Sequence, residues 1–172
     1  MADTSDAFAK PKGDAPDFVY TIYIAANAAT VWNGLIDKEV TEKYWGRHNV
    51  SDWKEGSKWE HTRTDGSGTV DVHGHVLECD PPRKLVVTWN GPDGSKTQEA
   101  HPSVVTYDLV ALGPDTKLTV THSKLDKGSV MHEGVTQGWQ ALMSNLKSLL
   151  ETGKTLSEDQ WGGDKQEHPD DA

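Results

Sequence analysis

Residues 129–153 read SVMHEGVTQGWQALMSNLKSLLETG, and this stretch decides the fold. Met131, Val135, Trp139, Leu142, Leu146 and Leu149 recur at spacings of four and three, which is one stripe of an α-helix and not of a strand. His132, Glu133, Gln137, Gln140, Lys147 and Glu151 fall largely away from that stripe. Ser129 stands where a hydroxyl can accept from a free N–H of the first turn. Gly153 suits the left-handed position after the last turn, and Lys147 and Lys154 lie where positive charge favours the negative end of the helix dipole. At about 1.5 Å per residue the helix is roughly 35 Å long. A helix this long and one-sided needs a large apolar partner surface, and the residues before it supply one.

Gly134, Gly138 and Ala141 form a second stripe, of small residues, beside the apolar one. Each glycine costs about 1 kcal/mol of helix propensity against alanine. Two readings stand side by side. The stripe permits close helix–sheet approach or is a tolerated weak turn, or it leaves room above a sheet where a ligand sits.

Working back from the helix, the residues before it alternate. Leu118, Val120 and His122 mark one strand face, and Val105, Tyr107 and Leu109 another, with a Gly113-Pro-Asp turn between them. Leu85, Val87 and Trp89 mark a third face before Gly91-Pro-Asp-Gly, and residues 69–79 form a strand ended by Asp80-Pro-Pro. Residues 58–63 alternate Trp59, His61 and Arg63 against Lys58, Glu60 and Thr62, and Asp65-Gly-Ser-Gly follows as a turn. Two short helices are expected upstream. One is capped by Asn27 and buries Val31, Trp32, Leu35 and Ile36; the other runs from about Lys38 to Trp45 and stops at Gly46. The first strand, from Phe18 to Ile24, is apolar on both faces and is therefore expected away from an exposed edge. The order is strand, two short helices, about six strands and one long helix, with no internal repeat. That predicts an α+β fold with a curved antiparallel sheet wrapped on the long C-terminal helix. Residues 1–16 and 154–172 have tail composition, so one domain is expected at 17–153 with flexible tails on either side. Trp161 is an isolated aromatic in the second tail.

The chain has 172 residues, 34% of them hydrophobic, with formal net charge −10. Mean hydropathy is −0.68 and the sequence pI about 5.1. An acidic chain of this kind has no electrostatic case for gripping nucleic acid or anionic lipid. Cys79 is the single cysteine, which excludes an internal disulfide and a multi-cysteine zinc site and fits a reducing compartment. No apolar run approaches the ~20 residues of a membrane span, and the N-terminus has no basic-then-apolar signal pattern. A cytoplasmic protein, monomer or homodimer, is the resulting expectation.

With the elements in this order, the sequence resembles the START-like, birch-pollen-allergen-like superfamily (SRPBCC), whose fold is the helix grip. The nearest likeness is to the branch similar to the C-terminal domain of the heat-shock-protein-90 ATPase activator. The resemblance spans about residues 18–155 and is carried by YIAANAATVW at 23–32, EKYWG at 42–46, EGSKW at 55–59, GHVLE at 74–78, PPRKLVVTW at 81–89, VTYDL at 105–109, KLTVTH at 117–122, and Gly138-Trp139 with the leucines at 142, 146, 149 and 150. Ser57 stands where many members carry a second glycine, and Arg47 follows Gly46 where many have proline. The resemblance implies a deep apolar cavity between sheet and long helix. It implies no single role, since members include lipid carriers, hormone receptors, polyketide cyclases and co-chaperones.

If the concave face holds the apolar alternates, Trp59, Leu85, Val87, Trp89, Val105, Tyr107, Leu118, Val120 and His122 face the helix. The candidate ligand-binding set is Trp32, Trp45, Trp59, Trp89, Tyr107, His122, Met131, Val135, Trp139 and Met143, apolar walls with Tyr107 and His122 as polar handles. The same residues are also what a packed core requires. His73 and His75, two apart on a strand, share a face, with Asp71 as their obvious companion, and His61 joins only if its strand is a neighbour. Two imidazoles fall short of the three or four ligands of a zinc site, so neither metal nor other cofactor is expected. No Ser/His/Asp order, G-x-S-x-G elbow or HExxH is present. Glu78 and Asp80 close a strand and are expected exposed, and Cys79 reads as a structural thiol. His122 with Tyr107 is the weak candidate for acid–base chemistry.

Three functions are carried forward. The first is a domain that binds a small, apolar or aromatic molecule as a sensor or carrier, with a stress-related role. The second is a cyclase- or hydrolase-type enzyme using the same cavity. The third is a co-chaperone-like interaction module. Only a short stretch precedes Phe18, which counts against a complete activator with its separate N-terminal domain.

Overall fold

A computed structural model describes residues 13–157. Its last helix, α3, covers Val130–Thr152, and both ends are capped as the sequence dictates. The Ser129 Oγ accepts from the His132 N–H at 3.0 Å, and Gly153 takes φ +78° while its N–H donates to the Leu149 carbonyl at 2.8 Å. Met131, Trp139, Leu142, Met143 and Leu146 are buried along the inner face. Side chains of this size contribute about 1.5–3 kcal/mol each when fully buried, so this face holds α3 in place.

The remaining elements run in chain order: β1 (Phe18–Ile24), α1 (Ala28–Ile36), α2 (Lys38–Trp45), β2 (Arg47–Ser51), β3 (Lys58–Arg63), β4 (Val70–Asp80), β5 (Lys84–Trp89), β6 (Ser103–Leu112) and β7 (Asp115–Ser123). All neighbouring strand pairs are antiparallel, in the order β1-β7-β6-β5-β4-β3-β2. This is the α+β helix-grip architecture. Asn27 caps α1 through a 2.9 Å bond from the Thr30 N–H. Asp37 separates the two short helices, capping α2 through the Glu39 and Val40 N–H groups. Gly46 ends α2 at φ +69°, a conformation that a Cβ opposes.

Two strands differ from the sequence reading. β1 stands at an edge of the sheet, not inside it, pairing with β7 alone. Its apolar outer face stays exposed at Val19 and Tyr23. Its open edge is covered by α3 instead of by a strand: the Lys147 Nζ donates to the Tyr23 carbonyl, and the Glu151 carboxylate accepts from Ala25 N–H, each at 2.7 Å. β2 has no apolar alternation to announce it. Its central Asn49 is buried because its amide is fully engaged, its oxygen accepting from the His61 Nδ1–H at 2.6 Å and its nitrogen donating to the Leu35 carbonyl at 3.3 Å.

The small-residue stripe makes no close approach to the sheet. Gly134 is exposed, Gly138 and Ala141 are half-buried, and a Cβ at either glycine would meet nothing within 4 Å. Residues 13–16, within the stretch with tail composition, pack on the β7–α3 connection. Ala15 is buried, its N–H donates to the Leu125 carbonyl at 2.9 Å, and Gly13 N–H donates to Asp126 at 2.9 Å. At the other end the Leu156 N–H donates to the buried Asn145 side chain at 2.7 Å. Residues 1–12 and 158–172, Trp161 among them, lie outside the described residues.

Candidate functional site

The inward alternates of β3, β5, β6 and β7 meet α2 and α3 in a continuous aromatic stack. Trp89 lies 5.3 Å from Trp59, 5.6 Å from Trp139 and 6.1 Å from Trp45, between ring centroids. Trp45 packs on His61 at 4.6 Å and on Trp139 at 5.7 Å, and Tyr107 meets Trp139 edge-on at 5.9 Å. Such pairs contribute about 0.5–1.5 kcal/mol each beyond the area they bury. Three indole N–H groups are spent inside the stack, that of Trp139 on His122. Trp59 reaches past Gly74, its register partner, to the Thr88 carbonyl at 2.8 Å. Glycine is required there, since a Cβ would stand 2.0 Å from the Thr88 oxygen. Trp89 donates to the Met131 sulfur at 3.3 Å.

His122 sits fully buried at the centre of this stack, with both nitrogens engaged. The Trp139 indole N–H donates to Nδ1 at 3.1 Å. Nδ1 is therefore the acceptor, and the ring proton stands on Nε2. That N–H donates to the Ser103 Oγ at 2.7 Å, and Ser103 passes its own proton to the Trp89 carbonyl at 3.1 Å. Burial, helped by the nearby His132, lowers the His122 pKa to about 3. A nucleophile–base pair needs the imidazole to accept the hydroxyl proton. Here the polarity of the chain is reversed, and Ser103–His122 is wired as a structural link.

Tyr107 behaves differently. It is 4% exposed, and among the described residues its hydroxyl has no hydrogen-bond partner. Burial raises its pKa well above the phenol range, so it is a neutral donor. It borders a cavity of about 10 Å³, counted as space open to the centre of a water molecule, whose other walls are Leu35 of α1, Asn49 of β2, Trp53 of the β2–β3 connection, Trp59 of β3, and Leu85 and Val87 of β5. That space admits about one water. Trp53 is the one bordering residue that is not buried. It also has φ +54°, in the left-handed region that bulky side chains avoid. Its backbone N–H is held by Ser51 Oγ at 3.0 Å, while no described ring stacks on its indole.

Of the candidate residues from sequence, Trp59 and Tyr107 border the cavity. Trp45, Trp59, Trp89, Tyr107, Trp139 and His122 form the stack, with Met131 bonded to it. Trp32 and Met143 are buried, and Val135 is half-buried at the less-covered end of α3. Sequence reasoning passed over Asn49, Trp53 and Ser103. The available signals were an asparagine inside a strand and a tryptophan inside a polar run.

His73 and His75 lie on the outer sheet face opposite Glu60 and Lys58. β3 is the neighbour of β4, but His61 is buried on the inner face, away from them. Asp71 is taken by Arg47 and Arg63, at 2.7 and 3.1 Å. Among the described residues no three His, Cys, Asp or Glu are placed to share a metal. Asp80 and Glu78 pair with Arg83 and Lys84. Half-burial raises the Cys79 pKa, with Asp80 and Glu55 adding to it, which opposes a reactive thiolate.

Comparison with known proteins places this geometry in a family. The profile described as activator of Hsp90 ATPase homolog 1-like protein matches residues 25–151. Solved structures with the same fold include CalU16 from Micromonospora echinospora, 22% identical, covering 84% of this chain and 82% of that one, with TM-score 0.64. An Aha1 dimer from Colwellia psychrerythraea is 18% identical, with coverage 81% and 99% and TM-score 0.65. An HSP90 activator from Plasmodium falciparum is 24% identical, with coverage 79% and 96% and TM-score 0.64. Curated protein sequences give no match. With the profile spanning most of the chain and solved structures sharing its fold, this protein belongs to the activator of Hsp90 ATPase homolog 1-like family, within the START-like SRPBCC superfamily.

Proposed function

We propose that this protein binds a small, largely apolar aromatic molecule beside Tyr107, in the space between α1, β2 and the concave face of the sheet. The observation that carries this reading is Tyr107, a neutral phenol with no hydrogen-bond partner among the described residues, bordering a cavity otherwise lined mainly by apolar groups. A ligand atom that accepts the phenol proton would take the place of the water that the cavity admits. The cavity as it stands holds a water, so binding enlarges it. His122 takes no part in the recognition, because both its nitrogens are occupied by the core. In the cell this is a cytoplasmic carrier or sensor, with a stress-related role in keeping with the family. No helix among the described residues is long and apolar enough to cross a membrane.

The test is native mass spectrometry of freshly purified protein, followed by titration of an aromatic panel into wild type and Tyr107→Phe. A discrete bound mass, or panel binding weakened about tenfold by Tyr107→Phe, supports the reading. A clean apo mass with no saturable binding across the panel sinks it.

A second reading draws on the family alone: a protein-interaction module acting on an Hsp90-type chaperone, as the Plasmodium falciparum relative is described. Stimulation of a purified Hsp90 ATPase by stoichiometric protein supports it, and an unchanged rate removes it. The Colwellia psychrerythraea relative is a dimer, so light scattering in solution decides between monomer and homodimer for this chain.

A further inference from the structure

We propose that Glu99 is a pH-sensitive latch on the first turn of α3. As a neutral acid it holds that turn against the β5–β6 connection; once ionised, it leaves the buried joint and the turn loosens. Glu99 and this turn share no residue with the wall of the Tyr107 cavity, so the latch stands apart from the binding reading.

The joint is built from both sides. Glu99 lies in the connection between Trp89 and Ser103, and one side chain clamps its backbone. Its N–H donates to the Asn90 Oδ1 at 2.8 Å, and its carbonyl accepts from the Asn90 Nδ2 at 3.2 Å. Its carboxyl meets the N-terminus of α3, where one oxygen, Oε1, accepts from the Ser129 hydroxyl at 2.7 Å. Ser129 is the cap of α3, so its hydroxyl joins the His132 N–H to Glu99. The other oxygen, Oε2, is buried and has no hydrogen-bond partner among the described residues. Glu99 as a whole is only 8% exposed.

A buried carboxylate is tolerated when its oxygens are paired, and here one is not. A proton on Oε2 removes the charge and leaves Oε1 accepting from Ser129, so the neutral acid fits the joint without rearrangement. Burial accordingly raises the Glu99 pKa, against the Ser129 bond; the Asp126 carboxylate adds to the rise, while His101 and the Asp126 backbone N–H oppose it. The titratable and charged groups around the joint are His101 of the same connection, Asp126 and Lys127 of the β7–α3 connection, His132 and Glu133 of α3, and Asp14, which accepts from the Lys127 N–H at 2.8 Å. The His101 Nε2 and the Asp126 Oδ1 stand 3.1 Å apart. That tie keeps the two connections together when Glu99 lets go, so the part released is the helix end. Because the closed joint holds its proton more tightly than an exposed glutamate does, opening becomes easier as pH rises from the ordinary glutamate range through the raised value, and levels off above it.

The first turn of α3 has little else to hold it. Val130 is exposed, and Gly134 and Gly138 weaken the helix just beyond. Met131, in the same turn, accepts the Trp89 indole N–H at 3.3 Å. Loosening the turn therefore reaches the aromatic stack through Met131.

The experiment is amide hydrogen exchange of the full chain from pH 5 to pH 8, corrected for the intrinsic pH dependence of exchange, on wild type and Glu99→Gln. The glutamine is a permanent copy of the neutral acid. Because both proteins keep His101, Asp126 and His132, their difference isolates Glu99. The expected result is that protection of the His132 and Glu133 amides falls about threefold more in wild type than in the variant across this range. Equal pH dependence in the two proteins overturns the latch. A measurement on wild type covers a variant that does not fold. The carbon-13 resonance of the Glu99 carboxyl, assigned through its own backbone, and the Met131 methyl should move with one midpoint above the ordinary glutamate value of about 4.3. The methyl of Met143, fully buried further along α3, should stay in place. A Glu99 carboxyl that titrates at the ordinary value, or a Met131 methyl that does not follow it, also overturns the latch.

Discussion

His122 makes the acid side of the stability curve predictable. In the unfolded chain its pKa is close to 6.5; in the folded protein, burial first and His132 second lower it to about 3. Above pH 6.5 the imidazole is neutral in both states and contributes no pH dependence. As pH falls below 6.5, the unfolded state takes up a proton that the folded state refuses. Unfolding is then favoured by about 1.4 kcal/mol per pH unit until the folded pKa is reached. Between pH 6 and pH 4 this amounts to roughly 2–3 kcal/mol. Glu99 works in the opposite sense. Its pKa is raised by burial, so protonation on acidification favours the folded state between its unfolded and folded values. The total curve therefore mixes both groups, and a difference isolates His122. His122→Asn keeps an oxygen acceptor for the Trp139 N–H and removes the titration. Urea midpoints at half-unit pH steps should show wild type losing roughly 2–3 kcal/mol more than the variant from pH 6 to 4. Parallel curves, or a His122 imidazole resonance titrating near pH 6.5 in the folded protein, would refute the buried neutral ring and the hydrogen-bond direction assigned to it.

Two further outcomes follow from α3. Gly134→Ala and Gly138→Ala should each stabilise by about 1 kcal/mol, because a Cβ at either position meets open space and the helix interior disfavours glycine. Calorimetry should show a rise of roughly 2–4 °C for each, and a fall would mean the glycines serve a motion of the helix that the static fold does not display. Ser129→Ala removes the cap of His132 N–H and the 2.7 Å partner of the Glu99 carboxylate, for a loss of about 2 kcal/mol. That loss should shrink on acidification, because Glu99, whose pKa burial raises, takes up a proton and the Ser129 bond then no longer supports a charge; a loss independent of pH would show that Ser129 does not support the carboxylate.

How much of this was legible in the sequence depended on whether a residue's role is periodic. The caps of α3, the two short helices and the inward alternates of β5 to β7 other than Ser103 and Thr116 follow from spacing, since apolar burial repeats with the backbone. β2 was invisible because its one buried side chain, Asn49, is held by hydrogen bonds to His61 and Leu35, and a bonded amide leaves no hydropathy signal. The edge position of β1 was misjudged because apolar residues on both faces normally mark an inner strand, whereas here Lys147 and Glu151 of α3 close the edge from a distance of more than a hundred residues in sequence. Burial, but not partnership, could be assigned to His122 and Tyr107. Their spacing is the same kind of alternation, yet one is fully bonded and the other has no partner, and only three-dimensional neighbours distinguish them. Trp53 was passed over because a single tryptophan among charged residues has no period at all.

The tryptophan stack also gives the protein an optical identity. Trp45, Trp59, Trp89 and Trp139 form a chain of indoles with centroids no more than 6.1 Å apart, close enough for their electronic transitions to mix. They absorb as one coupled chromophore in a fixed chiral arrangement, and the circular dichroism of that array is a fingerprint of core geometry. Trp53, with no ring beside it, emits on its own terms. Ellipticity therefore reports the geometry of the interior array, while emission adds Trp32 and Trp53, which lie outside it.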